Sequence, residues 1–299
     1  MSIMRDNINL GPGDLRKQIE KGFVFSAGVF NGMSAIIAQR SGFRSTYLSG
    51  SGVAGSMGLP DLSVTTLKEV ADEVDRITSV TTAPLIVDVD TGFGETLNVT
   101  RTVRIMERAG ASAIHIEDQV LPKKCGHLQG KRLIETGDMI SKIRAAVDAR
   151  KNPDFVIIAR TDARSVNGLD DAIERANAYF EAGSDVVFTE ALETMDEFKT
   201  FARKARGPLM ANMTEFGRSP LFSAAELKEA GYRMVIFPLT AFRAFMKTAQ
   251  TVYDDLYKHG TQRDFMDKIM SRESFYDLIG YDDYEREDKE LAGRKRSSQ

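Results

Sequence analysis

Short apolar runs rich in β-branched residues alternate along the chain with longer stretches whose apolar positions recur at helical spacing. The runs fall at 23–28, 46–49, 85–90, 113–117, 155–162, 185–190, 209–212 and 234–238. Between them the spacing predicts helices over 32–39, 67–77, 98–109, 138–149, 170–181, 195–204 and 224–229, and another over 242–257 follows the last run. Strands alternating with single helices specify a parallel sheet, and eight such units specify an α/β fold that closes into a (β/α)8 TIM-type barrel. An open, doubly wound sheet is the competing architecture. No glycine-rich phosphate fingerprint opens an early helix, which favours the barrel. Gly110, Gly183 and Gly231 each follow an alanine at the end of a helical stretch, where a left-handed residue closes a helix. Beyond Gly260 the pattern becomes polar and amphipathic to 280, then a mixed-charge tail over 282–299. The expected organisation is a catalytic barrel over 1–260 with a helical appendage and mobile tail over 261–299.

Composition narrows the class. The 299 residues match one large barrel, and 42% hydrophobic with 28% charged residues describe an ordered globular chain. The single cysteine cannot make an intramolecular disulfide, and residues 1–13 lack the basic and apolar regions of a secretory leader, so a cytoplasmic protein is expected. No apolar run reaches the ~18 residues of a membrane span. A net charge of -3 with dispersed Lys and Arg gives no footprint for nucleic acid. An anionic ligand would have to meet a local group of cations.

Barrels build their sites at the C-terminal ends of strands, and here those ends are charged. Strand two ends in Ser49, Gly50 and Ser51, strand three in Asp88 and Asp90, strand four in Glu117 and Asp118, and strand five in Arg160, Thr161 and Asp162. Glu190 ends strand six, Asn212 and Thr214 follow strand seven, and Arg243 lies after strand eight. Asp88 and Asp90, at i, i+2, are expected on one strand face, where two carboxylates repel unless a cation separates them. With Glu117 they make an oxygen-only group suited to Mg2+ or Mn2+; the alternative is that one caps a helix and the other pairs with an arginine. Zinc is disfavoured, since Cys125 and the three histidines lack ligand spacing. His115 reads as a hydrogen-bonded wall residue and His259 as a helix-terminal cation.

The long loop after strand four carries Lys123, Lys124, Cys125, Gly126 and His127, and its length makes it a candidate lid. Two lysines and a histidine beside the thiol are expected to lower its pKa, making Cys125 a proton carrier; the bland alternative is an inert buried cysteine.

The KKCGH segment resembles the catalytic signature of the isocitrate lyase group in the phosphoenolpyruvate mutase superfamily. YLSGSG at 47–52, DVDTGFG at 88–94, HIEDQ at 115–119, ARTD at 159–162 and NMTEFG at 212–217 extend the resemblance over most of the chain in order. The short length, with Thr214 to Gly217 and PLTAFR at 238–243, resembles the 2-methylisocitrate lyase family rather than the longer isocitrate lyases. The resemblance implies Mg2+, with Mn2+ as substitute, at Asp88 and Asp90 with Glu117 nearby, and Cys125 as general acid. It implies substrate contacts at Ser49, Gly50, Ser51, Gly126, His127, Arg160, Glu190, Asn212, Thr214, Arg243 and Arg272. The implied reaction is cleavage of a tricarboxylate, 2-methylisocitrate, to pyruvate and succinate in propionate catabolism, by a homotetramer whose C-terminal helices are exchanged between subunits. Tyr47 is a candidate base or proton relay, and Phe188 or Leu239 would line a methyl pocket. Ser51 departs from the family, which more often has glycine there, and leaves preference between methylated and unmethylated substrate open. Isocitrate lyase activity, an oxaloacetate decarboxylase of the same superfamily and a catalytically silent scaffold are the rival functions.

Overall fold

The computed structural model describes residues 11–296. The strands β1 (Val24–Val29), β2 (Thr46–Leu48), β3 (Leu85–Asp88), β4 (Ala113–Glu117), β5 (Val156–Thr161), β6 (Val186–Thr189), β7 (Leu209–Asn212) and β8 (Met234–Phe237) pair in parallel and in sequence order. β8 pairs with β1, with Ala27 opposite Phe237, so the sheet closes into the expected barrel.

Helices α2 (Gly32–Arg40), α4 (Leu67–Thr78), α5 (Thr96–Arg108), α6 (Thr136–Ala149), α7 (Leu169–Glu181), α8 (Met195–Lys204) and α9 (Ala224–Glu229) lie between the strands, and α10 (Thr240–His259) follows β8. Their starts follow local chemistry: Thr66 with Glu69 and Ser223 with Glu226 form reciprocal capping boxes on α4 and α9. Within the barrel, two helices go beyond the sequence pattern. α1 (Gly11–Lys21) precedes β1 and sends Leu15 and Ile19 into the apolar cluster inside the barrel, so it plugs the N-terminal mouth. α3 (Gly50–Ser56) begins where β2 ends; its glycine-rich sequence carries no apolar period to announce it.

The expected helical appendage is present, and the charged stretch read as a tail is helical as well. α11 (Arg272–Ile279) and α12 (Tyr281–Arg296) are both helical, and Asp283–Arg286 and Glu285–Lys289 ion pairs run along α12. Such i, i+3 and i, i+4 pairs support an exposed helix that has little apolar face to bury. Residues 1–10, on which the expectation of no leader mostly rests, and 297–299 lie outside the described residues. Among the described residues no helix is long and apolar enough to cross a membrane.

Strand alternation divides the core. Outward side chains such as Val87, Ile114, Ile157 and Val187 pack against the helices, whereas Tyr47, Ile86, Ala113, Val156, Ile158, Phe188 and Met210 fill the barrel. On β5 the inward series therefore runs Val156, Ile158, Arg160: the same face is apolar at the bottom and charged at the top.

Candidate active site

The inward-facing parity carries Tyr47, Asp88, Glu117, Arg160, Glu190 and Asn212 to the C-terminal mouth, where they meet the loop between β4 and α6. A cavity of about 270 Å³ opens there, lined by Tyr47, Ser49, Ser51, Asp88, Cys125, Gly126, His127, Arg160, Glu190, Asn212, Thr214 and Arg243 among the expected residues. Asp61, Lys123, Leu128, Glu215, Phe216, Gly217, Pro238 and Leu239 complete the wall. Gly50 and the buried Asp90 and Glu117 stand behind this lining. Arg272 is not among the lining residues; it is exposed at the first turn of α11. Phe188 lies below the cavity with the Arg160 guanidinium 5.0 Å above its ring, and Leu239 is in the wall.

The floor is a hydrogen-bonded pair. The Tyr47 hydroxyl and His115 Nε2 are 2.8 Å apart, and His115 Nε2 lies 3.6 Å from Asp88 Oδ1. Burial raises the Tyr47 phenol well above its ordinary range, with the Asp88 carboxylate adding to the effect. Burial also pushes His115 down to about 4 against the pull of Asp88, so the imidazole is neutral and fits the expected wall role. A phenol held protonated suits a relay better than a free base.

The geometry of the acidic pair differs from a simple strand alternation. β3 ends at Asp88, and Asp90 occupies the left-handed region at φ 48°, sparsely populated for a residue with a side chain. Its backbone N–H donates to Asp88 Oδ1 at 3.0 Å. Both carboxylates nonetheless face Gly50, where a Cβ would stand 3.1 Å from Asp88 Oδ2 and 3.3 Å from Asp90 Oδ1. The cation that the pair requires is provided by the chain: Lys123 Nζ lies 2.9 Å from Asp90 Oδ1 and 2.5 Å from Asp61 Oδ1. A lysine takes the place of the arginine weighed in the alternative. Burial works against the Asp88 charge, but His115, Lys123 and Arg160 outweigh it and hold the group at about 2.

Among the described residues, no three His, Cys, Asp or Glu side chains converge as a direct cage for a metal. The oxygen chemistry still fits a hard ion. Both carboxylate oxygens of Glu117 are buried without a hydrogen-bond partner, Arg160 Nε being 3.4 Å away, and burial raises the pKa of this carboxyl. An unsatisfied buried carboxylate beside Asp88 and Asp90 suits Mg2+ or Mn2+, which retain several waters and need few protein ligands.

Arg160 is enclosed by carboxylates: Asp162 Oδ2 at 2.8 Å, Glu190 Oε2 at 3.1 Å and Glu117 Oε2 at 3.4 Å. Opposite it, His127 Nδ1 accepts the backbone N–H of Arg218 at 2.9 Å, which leaves the ring proton on Nε2, 3.1 Å from Glu190 Oε1. Arg243 stands over the Phe216 ring at 5.3 Å and beside Glu215 at 3.5 Å. The loop is folded down on this group. Gln119 fixes its first turn by accepting the Lys124 N–H and donating to the Lys124 carbonyl, and an isolated bridge joins Gln119 to Leu133.

The expected lowering of the Cys125 pKa is overturned. Burial raises the thiol above its ordinary value, outweighing a backbone hydrogen bond from His127, because the Lys123 ammonium turns away to Asp61 and Asp90. A thiol held protonated is the form a proton donor needs.

The Phosphoenolpyruvate phosphomutase family model matches residues 15–257, from α1 to the end of the barrel. The chain belongs to the phosphoenolpyruvate mutase family. Within it, a 2-methylisocitrate lyase from Aeropyrum pernix is 54% identical over 279 residues, covering 93% of this chain and 90% of that protein. A 2-methylisocitrate lyase from Escherichia coli is 49% identical, covering 86% and 88%. The crystal structure of 2,3-dimethylmalate lyase, described as a member of the PEP mutase/isocitrate lyase superfamily, superposes with a TM-score of 0.88 at 36% identity, covering 94% of this chain and 95% of that one. The cavity also contains residues not expected in the site: Asp61, Lys123, Glu215 and Phe216 line it, and Lys131 braces it through Asp162, a strand-end residue held by Asp118. Lys123 and Lys131 reach the site only because the loop folds back, which their residue types alone do not announce.

Proposed function

We propose that the chain is a carbon–carbon lyase that cleaves 2-methylisocitrate to pyruvate and succinate. The observation that carries this reading is the position of Cys125, a protonated thiol on a folded-down loop, across a cavity from buried cations and carboxylates. The names of the relatives above support the same reaction, since two of them are 2-methylisocitrate lyases.

In this reading the substrate hydroxyl gives up its proton, its oxygen becomes the pyruvate carbonyl, and the adjacent C–C bond breaks. The electron pair of that bond passes to the carbon next to a carboxylate, which Cys125 protonates to give succinate; the thiolate then recovers a proton. Tyr47, backed by His115, relays the hydroxyl proton. Arg160 and Arg243 pair with substrate carboxylates, and His127 with Glu190 and Asn212 orients them. Gly50 leaves room beside the acidic pair, and Ser49, Ser51 and Thr214 offer hydroxyls. Asp88, Asp90 and Glu117 would hold a divalent cation, Mg2+ or Mn2+, which would supply Lewis-acid polarisation of oxygen. The folded loop excludes water while the basic carbon is exposed. A cytoplasmic homotetramer with exchanged C-terminal helices belongs to the same reading and rests on the resemblance.

The test is a coupled pyruvate assay with 2-methylisocitrate, and a glyoxylate assay with isocitrate, each with and without Mg2+. Metal-dependent pyruvate release with preference for the methylated substrate is expected. Equal turnover of isocitrate would overturn the substrate assignment, and activity on neither would overturn the reaction.

A further inference from the structure

Lys131 lies at the far end of the loop from Cys125, with its side chain only 1% exposed. Its ammonium donates to the Gly126 carbonyl and, at 2.6 Å, to Asp162 Oδ1. Burying an ammonium is costly unless its charge and donors are met, so these two contacts account for its position. They also join three things that are otherwise separate: the returning arm of the loop, the peptide next to the thiol, and the end of β5.

Asp162 is a fixed anchor. Its N–H donates to Asp118 Oδ1 at 2.9 Å, and its carboxylate takes Nε and Nη2 of Arg160 at 2.8 and 3.1 Å. These contacts come from β5 itself and from Asp118, the residue directly after β4, and none involves the segment that carries Cys125 and Gly126. The Lys131 contact with Gly126, in contrast, holds the loop in one shape. The Gly126 peptide is already seated without clearance, since a Cβ there would stand 2.5 Å from Glu190 Cγ.

We propose that Lys131 is the closure latch of this site, a positioning residue that holds the Cys125–Gly126 peptide down against the barrel through Asp162. Because Asp162 also holds Arg160, the latch places the proton donor and the guanidinium on one shared carboxylate. The inference rests on the reading of Cys125 as the acid for its catalytic consequence only; the latch itself is a property of the protein without substrate.

Cys125 is the only cysteine, so alkylation of the full-length protein by iodoacetamide at fixed pH reads the loop directly. Lys131→Met should raise the alkylation rate about tenfold, because the closed loop loses a charge-assisted contact. It should lower kcat more than it raises KM, and Lys131→Arg, which keeps the charge, should recover part of both effects. An alkylation rate within about twofold of wild type, whatever the thermal midpoint does, would overturn the latch. If Lys131→Met does not fold, Lys131→Gln, which loses the charge that pairs with Asp162, is measured in its place and judged by the same rate. A wild-type protein silent on 2-methylisocitrate would remove the assigned reaction and leave the alkylation result standing.

Discussion

Arg160 and Asp162, two residues apart at the end of β5, meet through two contacts, Nε to Oδ2 at 2.8 Å and Nη2 to Oδ1 at 3.1 Å. The pairing fixes the plane of the guanidinium and leaves its remaining donors directed at Glu190 and the cavity. Lysine keeps the charge but has no fork, so Arg160→Lys retains attraction and loses orientation. Two charge-assisted hydrogen bonds at about 1.5 kcal/mol each predict a fall in kcat/KM of roughly 10²-fold or more. Steady-state kinetics with Mg2+ present check it; a fall of less than about fivefold would show that Arg160 acts only as a charge.

Cys125 works as a thiol, and its burial predicts the pH dependence. A pKa raised on folding means that the folded protein binds more protons than the unfolded one above the ordinary cysteine value. The resulting stability is complete below that value and is lost as pH rises through the folded one. The alkaline limb of kcat and the rise in iodoacetamide reactivity should therefore both lie above the cysteine value of 9.0. Cys125→Ala should abolish turnover while substrate and Mg2+ still bind by calorimetry. Persistent turnover in Cys125→Ala would end the acid assignment.

Gly126 makes a steric prediction independent of proton transfer. A methyl group there would meet Arg160 Nη2 and stand 2.5 Å from Glu190 Cγ, so the loop cannot close over an alanine. Gly126→Ala should keep the thermal midpoint, since the loop is peripheral to the core, and lose at least about 10²-fold in kcat. Iodoacetamide should reach Cys125 faster in this variant. Full activity with slow alkylation would mean that closure is not set by this contact.

The sequence made the barrel legible because its strands are short, separate and followed by helices of clear period. It also placed Asp88, Glu117, Arg160, Glu190 and Asn212 correctly at strand ends, since strand alternation alone fixes which residues face inward. α3 escaped notice because SGVAGS has no apolar stripe, and α12 because its charges read as a solvated tail. The thiol's shift differs from the sequence expectation for another reason: neighbours in sequence are not neighbours in space here, since Lys123 points to Asp61 and Asp90. Lys131 and Asp162 lie 31 residues apart and meet only when the loop folds back, a contact that no local pattern encodes.

The closing seam of the barrel gives the last prediction. Gly28 on β1 stands against the backbone of β8 and the residue after it: a Cβ there would overlap the carbonyl of Pro238 and lie 2.5 Å from that of Phe237. Backbone atoms cannot rotate away as a side chain does, so the strands must separate to admit a methyl group. Gly28→Ala should cost more than about 3 kcal/mol of unfolding free energy, enough to lower soluble yield. Gly137→Ala is the contrasting substitution, since nothing lies within 4 Å of the added Cβ on α6. That change should stabilise by about 0.5–1 kcal/mol through helix propensity. Urea unfolding of the two variants beside wild type measures both. If Gly28→Ala unfolds with the wild-type midpoint, β1 and β8 are not held as closely as their pairing of Ala27 with Phe237 indicates.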